Sequence, residues 1–332
     1  MLRVHFLNVG HGDCTIIKHH SGHLTMVDIN NSQDYDEATF MEMMEEQKRK
    51  SNPLALALGL GTGVALTGSP FAQALSPYYL ETLAKAKTEL TDPIDFIQKQ
   101  YPGETLWRFI LTHPDMDHMR GIRRLYENIR FANFWDTRHA KPSPNFRSDD
   151  DKVDWEFYQQ LRTGNVGPGP KFYTRGDSLF AFGRDEYGQP GGDNIEILSP
   201  TSDLVRACNE SGKSNSLSLV LRVWHAGKNV LLPGDAEDDA WEIMTDFYGN
   251  YLKSDFLKAS HHGRDTGYNL GAVQIISPSL TFVSVGRKPD TDASSKYRRQ
   301  CPRVASTRYH GNIELRIHDN GQHQWLVDRN PG

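Results

Sequence analysis

The stretch Leu106-Trp107-Arg108-Phe109-Ile110-Leu111-Thr112 runs directly into His113-Pro114-Asp115-Met116-Asp117-His118. Its first part is a compact apolar run of strand length, and the polar residues that follow read as a short loop at the C-terminal end of that strand. A helix is expected from His118 to about Asn128, with Ile122 and Leu125 on one face. His113, Asp115, Asp117 and His118 therefore place imidazole nitrogens and carboxylate oxygens together where open α/β folds build their sites. These are ligand types for borderline and hard divalent ions. On a loop, alternating residues can face two different ions, and two-metal hydrolases hold theirs about 3.5–4 Å apart.

Two further segments repeat this placement. Leu231-Leu232-Pro233-Gly234-Asp235 ends one expected strand in a carboxylate, and Leu257-Lys258-Ala259-Ser260-His261-His262-Gly263 ends the next in paired histidines. Each has a plain structural reading when taken singly. Asp115 and Asp117 are suited to capping a helix, His113 to a satisfied structural role, Asp235 to a turn, and the histidine pair to the surface. Three such clusters at three strand ends are better explained as one metal site.

The rest of the chain supplies the frame. Strands are expected at 2–9, 14–18, 24–29, 131–136, 195–198, 217–224, 229–232, 255–259, 280–285, 313–317 and 323–327. Helices are expected at 35–50, at 76–100 (broken at Pro93), and at 152–162, 237–248, 268–276 and 294–300. Strands and helices alternate in both halves, with hairpins at each end. The expected fold is α/β (α+β), a four-layer αββα sandwich in one domain, with insertions at about 33–105 and 137–194. An apolar content of 37% and a charged content of 24% are ordinary for a globular chain, and a net charge of −5 gives no global attraction to nucleic acid. Cys14, Cys208 and Cys301 form no C-x-x-C pair, which argues against a disulfide framework or a cysteine zinc knuckle. The N-terminus lacks a signal peptide's charged start and apolar middle, so a cytoplasmic location is expected. The Leu/Ala/Gly-rich run from Pro53 to Leu66 falls short of the roughly 20 apolar residues a bilayer span needs, so no stable membrane insertion is expected.

With those segments in view, the chain resembles the metallo-β-lactamase superfamily, and within it the branch that includes the hydrolase domain of the DNA-uptake protein ComEC. Phe6-Leu7-Asn8-Val9-Gly10-His11-Gly12-Asp13 resembles that branch's opening F-L-x-V-G-x-G-D, and Thr112 to His118 with Gly121 resembles its T-H-x-D-x-D-H-x-x-G. Ser214 to Val220 resembles its N-x-S-L-V-L strand, while Gly234-Asp235 and Ser260 to Gly263 resemble its G-D and S-H-H-G elements. The resemblance implies two divalent ions, zinc or manganese, or a single one. His113 and Asp115 would hold one ion, Asp117 and His118 the other, with Asp235 bridging and His262 as a further ligand. A metal-bound water would be the nucleophile. Asp117, Asp235 and Lys258 are the expected catalytic residues, with Asp13, Asn215, His261 and Asp292 around them or against the substrate. The branch's late histidine is absent after the strand at 280–285, where Asp292 stands as a substitute or as a plain loop aspartate.

The fold alone does not choose the bond that is broken. Phosphodiesters, small-molecule or nucleic-acid, are favoured by analogy and by local charge. Lys296, Arg298, Arg299 and Arg303 follow the expected site, Lys258 and Arg264 flank the histidine pair, and Tyr297 is placed to stack a base. The other readings are hydrolysis of a small ester, thioester or lactam, and a catalytically degenerate metal-binding module. No protein partner is indicated.

Overall fold

A computed structural model describes residues 1–31, 90–179, 181–183, 191–286 and 291–329. The chain opens with the antiparallel strands β1 (Leu2–Phe6), β2 (Thr15–Lys18) and β3 (Leu24–Val27). Helix α1 (Pro93–Gln100), strand β4 (Leu106–Ile110), helix α2 (Ile122–Asn128) and strand β5 (Phe131–Asp136) follow, then helix α3 (Asp149–Arg162) and the short strand β6 (Pro170–Phe172). The second half comprises β7 (Ile195–Ser199), α4 (Ser202–Ser211), β8 (Val220–His225), β9 (Lys228–Leu232), α5 (Asp238–Tyr248), β10 (Phe256–Lys258), α6 (Leu270–Ile276) and β11 (Leu280–Val283). It finishes with α7 (Ser294–Gln300), β12 (Val304–Ser306), α8 (Thr307–His310), β13 (Ile313–Ile317) and β14 (His323–Val327).

The strands form two sheets, in the orders β14-β13-β1-β2-β3-β4-β5-β6 and β12-β11-β10-β9-β8-β7. Alternation along each strand lets both faces be apolar. In β4, Ile110 points into the core between the sheets and Phe109 into the outer one; in β10, Phe256 faces inward and Leu257 outward. Phe6 and Phe282 stack across the inter-sheet core at 4.4 Å. Ile97 of α1, Leu125 of α2 and Trp155 of α3 cover the first sheet, and Leu204 of α4, Trp241 of α5 and Ile276 of α6 cover the second. This is the four-layer αββα arrangement. Asp193, just before β7, clamps one sheet to the other: it takes Arg108 of β4 at 2.8 Å and His23 and Ser21 of the β2–β3 turn.

Several boundaries move, for local reasons. The second piece of the stretch expected at 76–100 is α1, which starts at Pro93 because Asp92 caps the helix and Pro at its first turn loses no hydrogen bond; the first piece falls almost wholly outside the described residues. The loop after β4 makes a 3-10 turn at Met116–His118, and α2 begins only after Gly121, whose φ is +89°. Residues 217–219 lie in and after a 3-10 turn, so β8 starts at Val220. Helix α4, strands β6 and β12 and helix α8 are additions to the sequence reading. The expected helix at 35–50, most of the first insertion and the run Pro53 to Leu66 lie outside the described residues. Among those described, no helix is long and apolar enough to cross a membrane, and the three cysteines are free and buried.

Three buried histidines stay neutral within this frame. His5 meets the Tyr101 hydroxyl at 2.6 Å, His19 lies between the Asp193 carbonyl and Thr25 Oγ1, and His139 meets the Tyr158 hydroxyl at 2.5 Å. Desolvation lowers their pKa values to about 4, about 3 and about 3. Depressed native values mean that each contribution is complete above the unfolded value of about 6.5 and is lost as pH falls toward 4 or 3; at pH 5 the loss is roughly 2 kcal/mol apiece. Imidazole nitrogen shifts of these three are expected to stay in the neutral range between pH 7.5 and 5. Titration of any of them near 6.5 would contradict the assignment.

Candidate metal centre

The site lies at one edge of the sandwich, where parallel strands of both sheets end. From the first sheet come Asp28 after β3 and His113 to His118 after β4; from the second come Asp235 after β9 and the histidine pair after β10. Backbone bonds lock these loops together. Asp13 N–H donates to the Asp117 carbonyl at 3.1 Å, Ile29 N–H to that of His118 at 2.9 Å, Leu219 N–H to that of Thr112 at 2.9 Å, and His261 N–H to that of Gly234 at 3.2 Å. Gly234 has φ +57°, and a Cβ there would lie 3.0 Å or less from Ser218 and Thr112, so glycine lets Asp235 turn into the site. His261 and His262 both adopt left-handed backbone, at φ 49° and 54°, an uncommon and costly conformation for successive non-glycine residues.

Asp235 Oδ2 is the hub. His118 Nε2 lies 3.3 Å from it, His262 Nε2 3.5 Å, His261 Nε2 3.7 Å and His113 Nε2 3.8 Å. Asp117 Oδ2 is 3.3 Å from His262 Nε2, and Asp115 Oδ1 is 3.6 Å from His113 Nε2. These separations exceed ordinary N–H···O hydrogen bonds. Two ligand atoms each about 2.0–2.2 Å from one ion at tetrahedral angles lie roughly 3.3–3.6 Å apart. The Nε2 atoms of His113, His118 and His262, and Oδ1 of Asp235, are buried with no hydrogen-bond partner. Buried polar atoms are rarely left so, and the donor set of imidazoles and carboxylates fits a divalent transition metal.

The outer nitrogen of each ring is held. His118 Nδ1 donates to Asp28 Oδ2 at 2.8 Å, and Asp28 also accepts from the N–H and hydroxyl of Thr112 at 2.7 Å each. His262 Nδ1 donates to the Ser284 carbonyl at 3.2 Å, and His113 Nδ1 lies 3.2 Å from Thr112 Oγ1. Such contacts fix the tautomer that leaves Nε2 as the donor toward a metal. Burial opposes ionisation of Asp117 and Asp235, yet the facing imidazoles hold both carboxyls well below the usual carboxylate range. Burial likewise opposes charging His262, but Asp235 and Asp13 carry it up to about 10; Asp235 and Asp28 carry His118 well above its usual value. The carboxylates thus create a strong demand for positive charge at this point.

The remaining expected residues take definite places. Asp13, His118, Asp235 and His262 bring potential ligand atoms within 4.8 Å of one another. Asp13, however, approaches the Nδ1 side of the rings, 4.0 Å from His118 Nδ1 and 3.7 Å from His262 Nδ1, and its other contact is a buried ion pair with Lys258 at 2.5 Å. It sits behind the rings. Lys258, expected to be catalytic, is committed to Asp13. Asp115 is held by Lys141 at 2.5 Å and by Ser214 Oγ at 3.0 Å. Asn215 donates to Glu237 at 3.0 Å, one step behind the site. Asp292 Oδ1 accepts from the Ser294 N–H and hydroxyl, which gives it a capping role at the start of α7. Tyr297 is buried in the outer core against Tyr268, so it stacks no base; Lys296 pairs with Asp265 at 2.9 Å. Asp28, Lys141 and Glu237 are additions to the expected site residues. A holding carboxylate or lysine has no spacing signature, and the only cue is Asp28's position at a strand end.

No family model and no curated protein sequence matches the chain. Among solved structures, it is similar to a metallo hydrolase from the hyperthermophilic archaeon Ignicoccus hospitalis at 12% identity and TM-score 0.45, covering 98% of this chain and 100% of that one. It is also similar to CmlA, a diiron β-hydroxylase from Streptomyces venezuelae, at 12% identity and TM-score 0.47, covering 95% of this chain but about half of that one, 54%. At these scores neither likeness assigns a family or an activity; what the chain itself shows is an αββα sandwich with a buried His/Asp centre at one edge.

Proposed function

We propose that the chain is a metal-dependent hydrolase acting on phosphodiesters. The observation that carries the hydrolase reading is the convergence of imidazole Nε2 atoms on Asp235 Oδ2, each ring held from behind. His113 and Asp115 on one side, Asp117, His118 and His262 on the other, and Asp235 between them are the residues that would hold one or two divalent ions, zinc or manganese. Ions held there would ionise water near neutral pH and offset negative charge on the attacked group. The chain's own residues do the positioning. Asp28 and Ser284 fix two rings, and Gly234 lets the hub carboxylate turn inward. Lys141, which pairs with Asp115, and Arg264, which lies against His11, are partly exposed cations beside the site and suit an anionic phosphate. Arg298 and Arg299 extend positive charge along the exposed part of α7.

The test loads the chelator-stripped chain with zinc or manganese and assays bis(p-nitrophenyl) phosphate, DNA, RNA and a panel of esters, thioesters and lactams. Phosphodiester cleavage is expected, falling more than about 100-fold in Asp117→Ala through loss of a ligand. Turnover of acyl substrates alone would replace the substrate class, and a metal-loaded protein inert on every substrate would make the chain a binding module.

A further inference from the structure

His261 is held in the same manner as the buried imidazoles, although it reaches the surface. Its side chain is 17% exposed, whereas those of His113, His118 and His262 are at most 1% exposed. Its Nε2 lies 3.7 Å from Asp235 Oδ2, within the range spanned by the other three rings. Its Nδ1 lies 2.7 Å from Thr266 Oγ1 and 3.2 Å from Glu237 Oε1. With Nε2 directed inward as a lone-pair donor, Nδ1–H donates to that pair, the carboxylate–histidine arrangement that Asp28 makes with His118. Glu237 is itself positioned by the Asn215 amide at 3.0 Å. The left-handed backbone at both His261 and His262 turns two successive rings toward one carboxylate. A surface histidine has no use for such strain, and a mere contact to Asp235 would not need a carboxylate behind the ring.

We propose that His261 is a metal ligand through Nε2, with Glu237, braced by Asn215, as the residue that orients it and raises its basicity. The inference rests on the metal centre proposed above and extends it to a fourth histidine, one open to solvent.

The test uses the full chain, stripped with chelator and titrated with zinc by calorimetry, with cobalt(II) loading followed by visible absorption. His261→Ala is expected to weaken binding of at least one zinc equivalent more than about 100-fold, and Glu237→Gln by roughly 10- to 100-fold. Both should alter the cobalt ligand-field bands. Melting curves of the metal-free proteins establish that the variants fold; should His261→Ala fail to fold, Glu237→Gln decides alone. Wild-type affinity, stoichiometry and cobalt spectra in the folded variants would overturn the assignment of His261. A wild-type chain that takes up no metal would instead overturn the hydrolase reading itself, so the two failures are distinguishable.

Discussion

Asp235→Asn is expected to weaken metal binding more than about 100-fold, beyond the effect of removing a residue that merely orients a ligand, and to abolish hydrolysis with it. Four imidazole nitrogens lie 3.3–3.8 Å from Asp235 Oδ2, more than around any other carboxylate oxygen among the described residues. The substitution keeps side-chain shape and volume, and the bond from its own N–H to Ser218 Oγ at 3.0 Å is untouched. What it removes is the negative charge that draws cations to this point and a carboxylate oxygen that would hold them. Metal content after gel filtration measures the effect, with circular dichroism as the check on folding. An Asp235→Asn variant that retains the wild-type complement would show that the hub lies elsewhere.

Asp193→Ala is expected to cost roughly 3–5 kcal/mol, because it leaves the Arg108 guanidinium buried without its counter-charge. Arg108 and Asp193 have side-chain exposures of 3% and 0%, and what remains to Arg108 is the Thr25 hydroxyl at 2.9 Å and the face of Trp135, 4.8 Å from the ring centroid, neither of which carries a counter-charge. Asp193 also takes Ser21 and His23 at the β2–β3 turn, so its removal loosens the join between the sheets. Against a typical total of about 5–15 kcal/mol this is a large share. The urea midpoint should fall accordingly, and Arg108→Met added to Asp193→Ala should recover much of the loss, since an apolar side chain needs no counter-charge there. A loss below about 1 kcal/mol would show that water or rearrangement satisfies Arg108 in the single variant.

Much of this is legible in the residues, because both frame and centre leave local traces. Apolar runs of strand length ending in His or Asp mark β4, β9 and β10, and the structure brings those ends to one edge. The hidden part is whatever depends on partners remote in sequence. Asp28 holds His118, Glu237 holds His261 and Lys141 holds Asp115, and no spacing announces those pairs. Tyr297 shows a different failure. It stands among Lys296, Arg298 and Arg299, yet the helical period turns it alone into the core. Strand alternation places Lys258 on the inter-sheet side of β10, where its charge is matched by Asp13, a pairing its place in the sequence does not announce. Helix α4 buries only Leu204, Val205 and Cys208, too thin a stripe to stand out from the loop before it.

The most direct test of the central claim is the metal content of the folded full-length chain, purified with zinc and manganese supplied and analysed by plasma mass spectrometry. One or two tightly held divalent ions per chain, removed by chelator and restored on reloading, is the expected result. A folded chain that holds none under those conditions would contradict the account.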